Sequence, residues 1–409
     1  MNSFFRSAKF PIFLIVFVDV IGLGITIPVL PVYAEGWFKL SGVQIAALTS
    51  LFFAAQFIGA PILGRLSDRI GRRPVLIASQ FGTLTGAILT AVALSPIYLV
   101  LARLIDGLTG GNISVAQAYL ADITPPQDRA KSIGIVIAAF GLGFIIGPAF
   151  GSFMAASFGP RVTFGCAALA SSCTILLSIF MLKESLPPEK RTGARAAAPQ
   201  QKTREIIAHP QIARILCIGL LGQIAVFAFN SIFILWIRRV VLPEWPMASV
   251  QRATGVVFAF VGVVTIVTQG VVIGRVVKKI GEAKAVMVGG FLRVLGNATM
   301  AFFPRIYPAA AGSAIAGVGS GIAMPCATAL LTFHAPNVAR GRIIGINQSA
   351  MSLGNIIGPL IGGFVYDRNP AWPPMVSAAT LFLMWLVSLG LTQPPKPETP
   401  SVAFAPATA

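Results

Sequence analysis

Twelve apolar runs, each about as long as a bilayer is thick, leave this chain little choice of fold. A hydrocarbon core of roughly 30 Å takes ~20 apolar residues per helix. That ruler finds spans at 10–33, 44–63, 75–94, 97–120, 133–157, 161–182, 212–236, 253–274, 285–304, 308–333, 345–366 and 371–391. Lipid offers no water to backbone polar groups, so a spanning chain is a helix bundle or a closed barrel, and runs of this length select helices. Side-chain balance agrees: 56% of residues are hydrophobic and 11% charged, against roughly 25% charged in soluble domains. The first run is too long and too rich in Gly and Pro for a cleaved leader.

The formal charge of +18 is distributed as a membrane topology. With both termini in the cytoplasm, 22 of the 31 Lys and Arg residues fall inside, seven fall outside, and Arg103 and Arg293 remain within spans. The positive-inside rule favours this orientation. No soluble module is left over for nucleic acid. Cys166, Cys173, Cys217 and Cys326 all lie in apolar runs without C-x-x-C spacing, so they read as small apolar fillers. His209 and His334 stand at span ends with no acid cluster, and no metal site is expected.

The chain repeats itself. Arg129-Ala-Lys131-Ser-Ile-Gly134 aligns with Arg340-Gly-Arg342-Ile-Ile-Gly345, and Gly143–Phe153 with Gly354–Phe364, both at an offset of 211. Gly64-Arg-Leu-Ser-Asp68-Arg69-Ile-Gly71-Arg72-Arg73-Pro74 returns more loosely as Gly274–Lys284 at 210. The expected fold is an all-α membrane protein with twelve transmembrane helices in two six-helix, pseudo-symmetric halves, a known transporter plan with a site between the halves. The halves are set at 1–182 and 212–392. A Pro-, Ala- and charge-rich linker at 183–211 joins them, and a disordered cytoplasmic tail is expected at 393–409.

Three groups of residues carry the chemistry. Gly143, Gly147, Pro148 and Gly151, with their copies Gly354, Gly358, Pro359 and Gly362, put small residues on one helix face and a proline after them. Such a bent, smooth face suits a rocking surface, or simply close static packing. The basic loop Gly64, Asp68, Arg69, Gly71, Arg72, Arg73 reads as an inner gate, with Asp68 capping a helix or pairing with Arg129. Asp19, Arg103 and Asp106 are ionisable at bilayer depth, where a charge is costly and faces a cavity or a partner. Arg103 and Asp106 share a helix face at i, i+3 and can form a plain intrahelical pair. In the sharper reading, Arg103 exchanges between Asp19 and Asp106 as one acid takes a proton. Gln56, Asn112, Gln117, Asn230, Gln269 and Gln348 are the candidate cavity polar groups, each of which can also serve as interhelical glue.

These motifs resemble the major facilitator superfamily and, within it, the twelve-helix drug/proton antiporters of the tetracycline-efflux type. Gly64–Pro74 is similar to that superfamily's loop 2–3 motif, Gly143–Gly151 to its antiporter helix-5 motif, and Arg103–Gly111 more loosely to its helix-4 motif. Asp19–Pro31 and Tyr119–Thr124 resemble segments of the drug-efflux branch. The resemblance implies a helix-1/helix-4 charge pair of Asp19 with Arg103 tied to proton coupling, and a glutamine beside the site at Gln56. The chain departs from the tetracycline pattern where Gly86 replaces a helix-3 acid, Thr265 a helix-8 His and Arg293 a frequent helix-9 acid, which argues against tetracycline as substrate. Arg293 reads as a packed or snorkelling residue, with an anionic-substrate contact as its alternative.

The expected function is a monomeric, multi-pass transporter of the cytoplasmic membrane that exports a small amphipathic compound in exchange for protons, without a cofactor. Uptake or facilitated movement on the same fold is the first alternative, and a non-transporting receptor or scaffold the second. No nucleophile–base set or phosphate-cradling loop supports an enzyme.

Overall fold

A computed structural model describes residues 9–191, 207–335 and 340–393. Most of the expected linker and nearly all of the expected tail lie outside these residues, as does Arg6. Nine described helices are long and apolar enough to cross a membrane, and Pro373–Ser388 is a shorter apolar one. Two of the nine hold two crossings each. Arg129–Met181 turns back at Gly159, and the stretch Met247–Phe302 turns at Gly281. Twelve crossings result. In order they are span 1 (Lys9–Phe38), span 2 (Gly42–Ile70), span 3 (Arg72–Ala91) and span 4 (Pro96–Thr109 with Asn112–Ile123). Spans 5 and 6 lie either side of Gly159, and span 7 begins with Pro210–Asn230. Span 8 begins at Met247 and runs through a π-helical turn, Thr268–Val272, to Gly281, with span 9 beyond it. Spans 10 and 11 are Ile306–His334 and Arg340–Arg368, and span 12 is Pro373–Ser388. An even number of crossings puts Lys9 and Gln393 at one end, called here the inner end.

Local chemistry sets the boundaries. Ser41 and Gln44 exchange bonds in a capping box that starts span 2. Pro96, Pro210 and Pro373 open their spans in the first turn, where a missing N–H costs nothing. The turns between spans 2 and 3 and between spans 8 and 9 fall on Gly71 (φ 110°) and Gly281 (φ 76°). These two glycines are 210 positions apart, so the sequence repeat is also a repeat of backbone geometry.

Packing differs at the two ends. At the outer end one hydrophobic cluster runs through both halves, from Val29, Tyr33, Ile45 and Leu99 to Phe233, Trp236, Val250 and Tyr366. At the inner end there are two clusters, one within each half: Ile12, Val75, Tyr119 and Val136 in one, Ile215, Val286, Leu330 and Ile343 in the other. Bonds also join the halves toward the outer end. Glu35 holds Arg238 at 2.9 Å and Arg239 at 2.6 Å. Asp367 of span 11 accepts from the backbone N–H groups of Gly42 (2.6 Å) and Val43 (2.9 Å) at the start of span 2. Deeper in, the Ser50 hydroxyl donates to the Ile356 carbonyl at 2.7 Å. The bundle is sealed outside and parted inside.

The repeated glycine faces settle one alternative. A Cβ on Gly147 would meet Gly24 Cα at 2.8 Å, and one on Gly151 would meet Ile25 Cα at 2.8 Å. Gly143 lies against Phe17 and Val20. Gly354 and Gly358 lie equally close to Leu220 and Ile224, and Gly362 lies against Ala228. Both motifs therefore pack span 5 on span 1 and span 11 on span 7, inside each half. Pro148 leaves the helix unbroken, the non-helical residue in that stretch being Gly159. The close contacts between the halves are made elsewhere: Ile145 and Ser152 of span 5 face Gly262 and Gly255 of span 8, and Gly363 faces Gly42.

Gly71→Ala is expected to lose about 1–3 kcal/mol of stability, since its φ is one that L side chains rarely adopt. Gly64→Ala, with nothing within 4 Å of a new Cβ, should melt as the wild type does. Thermal unfolding of the purified protein in detergent compares the two.

Candidate functional site

Between the halves lies a cavity of about 1040 Å³. Its wall includes Asp19, Gln56, Arg103, Asp106, Asn112, Gln117, Asn230 and Gln348, eight residues expected there from sequence. Gln269 is not among them. It sits in the π-helical turn of span 8 with its side chain exposed, while its neighbour Thr268 is buried against Gly321. The stem of Gln269 also packs toward Gly321, and the rest of its side chain runs to the exposed surface.

The site is organised by a break in span 4. The helix stops at Thr109 and restarts at Asn112, with Gly110 and Gly111 between. A broken helix strands carbonyl oxygens that lipid cannot satisfy. Three side chains answer them: Ser79 donates to the Thr109 carbonyl (2.8 Å), Gln56 to that of Gly110 (2.8 Å) and Ser114 to that of Gly111 (2.8 Å). Glycine is needed here for closeness as well. Gly107 lies against the Phe52 carbonyl, and a Cβ on Gly111 would meet Ala60 Cα at 2.8 Å. Span 2 thus rides directly on the break.

The break presents Asn112 to Asp19. The Asn112 amide donates to Asp19 Oδ2, while Oδ1 is buried with no partner. Arg103 is 3% exposed and holds Asp106 at 3.4 Å within its own helix. Its guanidinium also lies 5.8 Å from the Phe52 ring centre. The helix-1/helix-4 pair of Asp19 with Arg103, implied by the resemblance, is not formed in this structure. The reason is geometric: Asn112 lies nine residues beyond Arg103, roughly 13 Å at 1.5 Å per residue, and Asp19 is level with the later residue. The plain intrahelical pair is the arrangement observed.

Gly86 explains a departure from the tetracycline-efflux pattern. A Cβ at Gly86 would come 2.9 Å from Asp106 Cβ. The acid missing from span 3 therefore has a spatial counterpart: Asp106 reaches the same place from span 4 and carries Arg103 as its counter-ion. Thr265, the other such position in span 8, lines the cavity with its hydroxyl tied to the Val261 carbonyl at 2.8 Å.

At the inner end the basic loop is a built junction. Arg72 bonds Asp68 (2.7 Å), Ser67 (2.6 Å) and Asp122 at the end of span 4 (3.1 Å). Ser67 donates in turn to the Gly64 carbonyl at 2.7 Å. Arg73 donates to the Ile179 carbonyl at 2.7 Å, and Arg69 is exposed. The expected pairing of Asp68 with Arg129 is absent; Arg129 donates instead to the Thr124 carbonyl at 3.4 Å. Nor does Asp68 cap a helix. Glu184 does so, accepting from the Arg72 N–H (2.9 Å) and the Arg73 N–H (3.2 Å) at the start of span 3. In the other half Gln393 accepts from the Ala283 N–H at 3.0 Å and bonds Glu282. Sequence reasoning missed Glu184, Gln393, Glu35 and Asp367. The first two were findable, since they follow the last span of each half at an offset of 209.

A sequence model of the Major Facilitator Superfamily matches residues 12–269 and 240–408. The class C tetracycline resistance protein of Escherichia coli is 32% identical over 388 residues, covering 91% of this chain and 93% of that protein. Multidrug resistance protein 2 of Bacillus subtilis (strain 168) is 29% identical over 384 residues, covering 92% of each. The nucleoside transporter NupG superposes with a TM-score of 0.77 at 14% identity over 94% of this chain and 98% of the other, a likeness of fold alone.

Asp106→Gly is expected to strand the buried Arg103 and cost about 3–5 kcal/mol. The double change Gly86→Asp with Asp106→Gly returns an acid to that space from span 3 and should recover most of the loss in thermal melting. A double variant no more stable than Asp106→Gly would show that the two positions are not equivalent. Opening the outer seal by Glu35→Gln should shift the population of sealed molecules about two- to tenfold, a modest effect because both arginines are half exposed. Distances between spin labels at Trp37 and Trp245 would read that shift.

Proposed function

The chain belongs to the Major Facilitator Superfamily, and on that premise we propose that it is a secondary exporter. It moves a small amphipathic compound out of the cell by alternating access in exchange for protons. The observation that carries this reading is Asp19: a carboxylate at bilayer depth, facing the cavity, with one oxygen unpartnered. An ionisable group held there at such cost fits a proton carrier better than a structural tie, because its one bonded neighbour among the described residues is a neutral amide. Proton binding shifts the bundle only if one conformation binds the proton better. The sealed outer end and parted inner end give Asp19 two environments to choose between as the halves rock.

Each half acts as a unit in this scheme. Residues 1–182 and 212–392 move against each other, with 183–211 as the linker. The junction at Asp68, Arg72 and Asp122 braces the inner end of the first half as a gate. The protein works as a monomer in the cytoplasmic membrane with both termini inside. It draws on the proton gradient and neither carries a cofactor nor catalyses a reaction. The polar wall of Gln56, Gln117, Asn230 and Gln348 and the apolar surface of Phe52, Phe53, Phe140, Phe227 and Met324 suit a ligand with both characters. The relatives named for tetracycline resistance support drug efflux as a class. With Gly86 and Thr265 in place of an acid and a His, tetracycline itself fits poorly.

Inverted membrane vesicles with an acidic interior should accumulate the exported compound, scored across a panel of lipophilic dyes and drugs. Asp19→Asn should reduce accumulation to the level of membranes lacking the protein, while binding in the absence of a gradient persists. Undiminished proton-driven accumulation by Asp19→Asn would remove this carboxylate from the coupling.

A further inference from the structure

Arg293 has no part in the scheme above. It lies midway along span 9, 2% exposed, at the wall of the cavity. Nη2 donates to the Gly222 carbonyl at 2.9 Å, and Nη1 faces the Met384 sulfur at 3.3 Å. A guanidinium has five N–H donors in a rigid fork, and neither neighbour is an anion. The ion pairs among the described residues engage Arg72, Arg103, Arg238 and Arg239 and leave Arg293 without a carboxylate. A buried cation with no counter-ion is strongly unfavourable.

The backbone is shaped around this side chain. A Cβ on Gly222 would come within 3.1 Å of Nη1, and one on Gly319 within 2.9 Å of the Arg293 Cγ. Two glycines from spans 7 and 10 thus leave its channel open. Beside it the Ser377 hydroxyl donates to Asn297 Oδ1 at 3.1 Å, and both residues line the same cavity. The charged residues on the wall are Asp19, Arg103, Asp106 and Arg293. Arg103 is matched by Asp106, so the first half presents a free acid and the second a free base.

We propose that Arg293 is the recognition point for an acidic group on the transported compound. The cavity takes an amphipathic organic anion, with its carboxylate, sulfonate or phosphate against the guanidinium fork and its apolar body along the aromatic wall. The inference rests on the cavity being the site of the exported compound. Arginine suits the task because its fork matches two anionic oxygens at once, which a lysine does not. The acidic group goes to the second half, since the first offers Asp19.

Purified full-length protein, with no pH gradient, is titrated with decanoate, 4-phenylbutyrate and 1-pyrenebutyrate and with the methyl ester of each, and binding is read as protection against thermal unfolding. Each acid should bind wild type about 10- to 100-fold more tightly than its ester, the range of a charge-assisted bond. Arg293→Gln should bring acid and ester level, and Arg293→Lys should keep part of the preference. Equal binding of acids and esters by wild type, or a preference that survives in Arg293→Gln, overturns the proposal. If Arg293→Gln does not fold, the wild-type preference and its decline in Arg293→Lys decide the matter. An acid preference without proton-driven accumulation in vesicles would sink the exporter reading alone, and the reverse result would sink this proposal alone.

Discussion

The break in span 4 is the feature on which the site depends. A continuous helix would satisfy its own carbonyls and need nothing from span 2 or span 3. Two adjacent glycines interrupt it, and the stranded oxygens then recruit Ser79, Gln56 and Ser114. Those bonds fix where the second segment starts, and hence where Asn112 stands. Asn112 in turn decides the partner of Asp19. The position of one intramembrane carboxylate is therefore a consequence of backbone accounting in a neighbouring helix.

Duplication explains the scaffold and fails to explain the charges. Gly71 and Gly281 turn in the same way, and each is followed by a helix start capped from the end of its own half. The caps differ in kind: Glu184 is a carboxylate bonded to the backbone N–H groups of Arg72 and Arg73, and Gln393 is a neutral amide beside Glu282. A charged cap gains more from a helix N-terminus than a neutral one. It also meets Arg72, whose guanidinium ties spans 2, 3 and 4 at the inner end. The first half is thus braced ionically at the point where the second is braced by amide bonds.

Much of this architecture was legible in the sequence because lipid imposes a length rule that twelve runs obey. The repeat offset located the paired turns, and eight of nine polar candidates lie on the cavity wall. What could not be read was direction around a helix. Gln269 and Thr268 are adjacent and both polar, yet in the π-helical turn that carries them Thr268 is buried, Gln269 is exposed and neither lines the cavity. Partner choice was hidden for the same reason. Arg103 has acids available in two helices, and the level of Asp19 relative to Asn112 follows from the packing of spans 1 and 4, which no motif encodes. The glycine motifs were recognised correctly as close-packing faces, yet nothing in their spacing says whether the facing helix belongs to the same half or to the other.

The repeat also says what each half has specialised in. At the offset of 211, Asp19 corresponds to Asn230; at 210, Arg103 corresponds to Ser313 and Asp106 to Ala316. All six line the cavity, so the second half keeps the positions and has lost every charge the first half holds there. Arg293, set back by 210, corresponds to Thr83, which also lines the cavity. The same position thus holds a neutral hydroxyl in one half and, in the other, a cation without a carboxylate partner among the described residues. A symmetric pair of acids would leave a doubly negative cavity, with like charges raising each other's cost in a low-dielectric interior. With the acid Asp19 on one side and the base Arg293 on the other, the proposed proton site and the proposed anion site fall in separate halves. On the proposed alternating-access scheme, coupling between them passes through the motion of one half against the other.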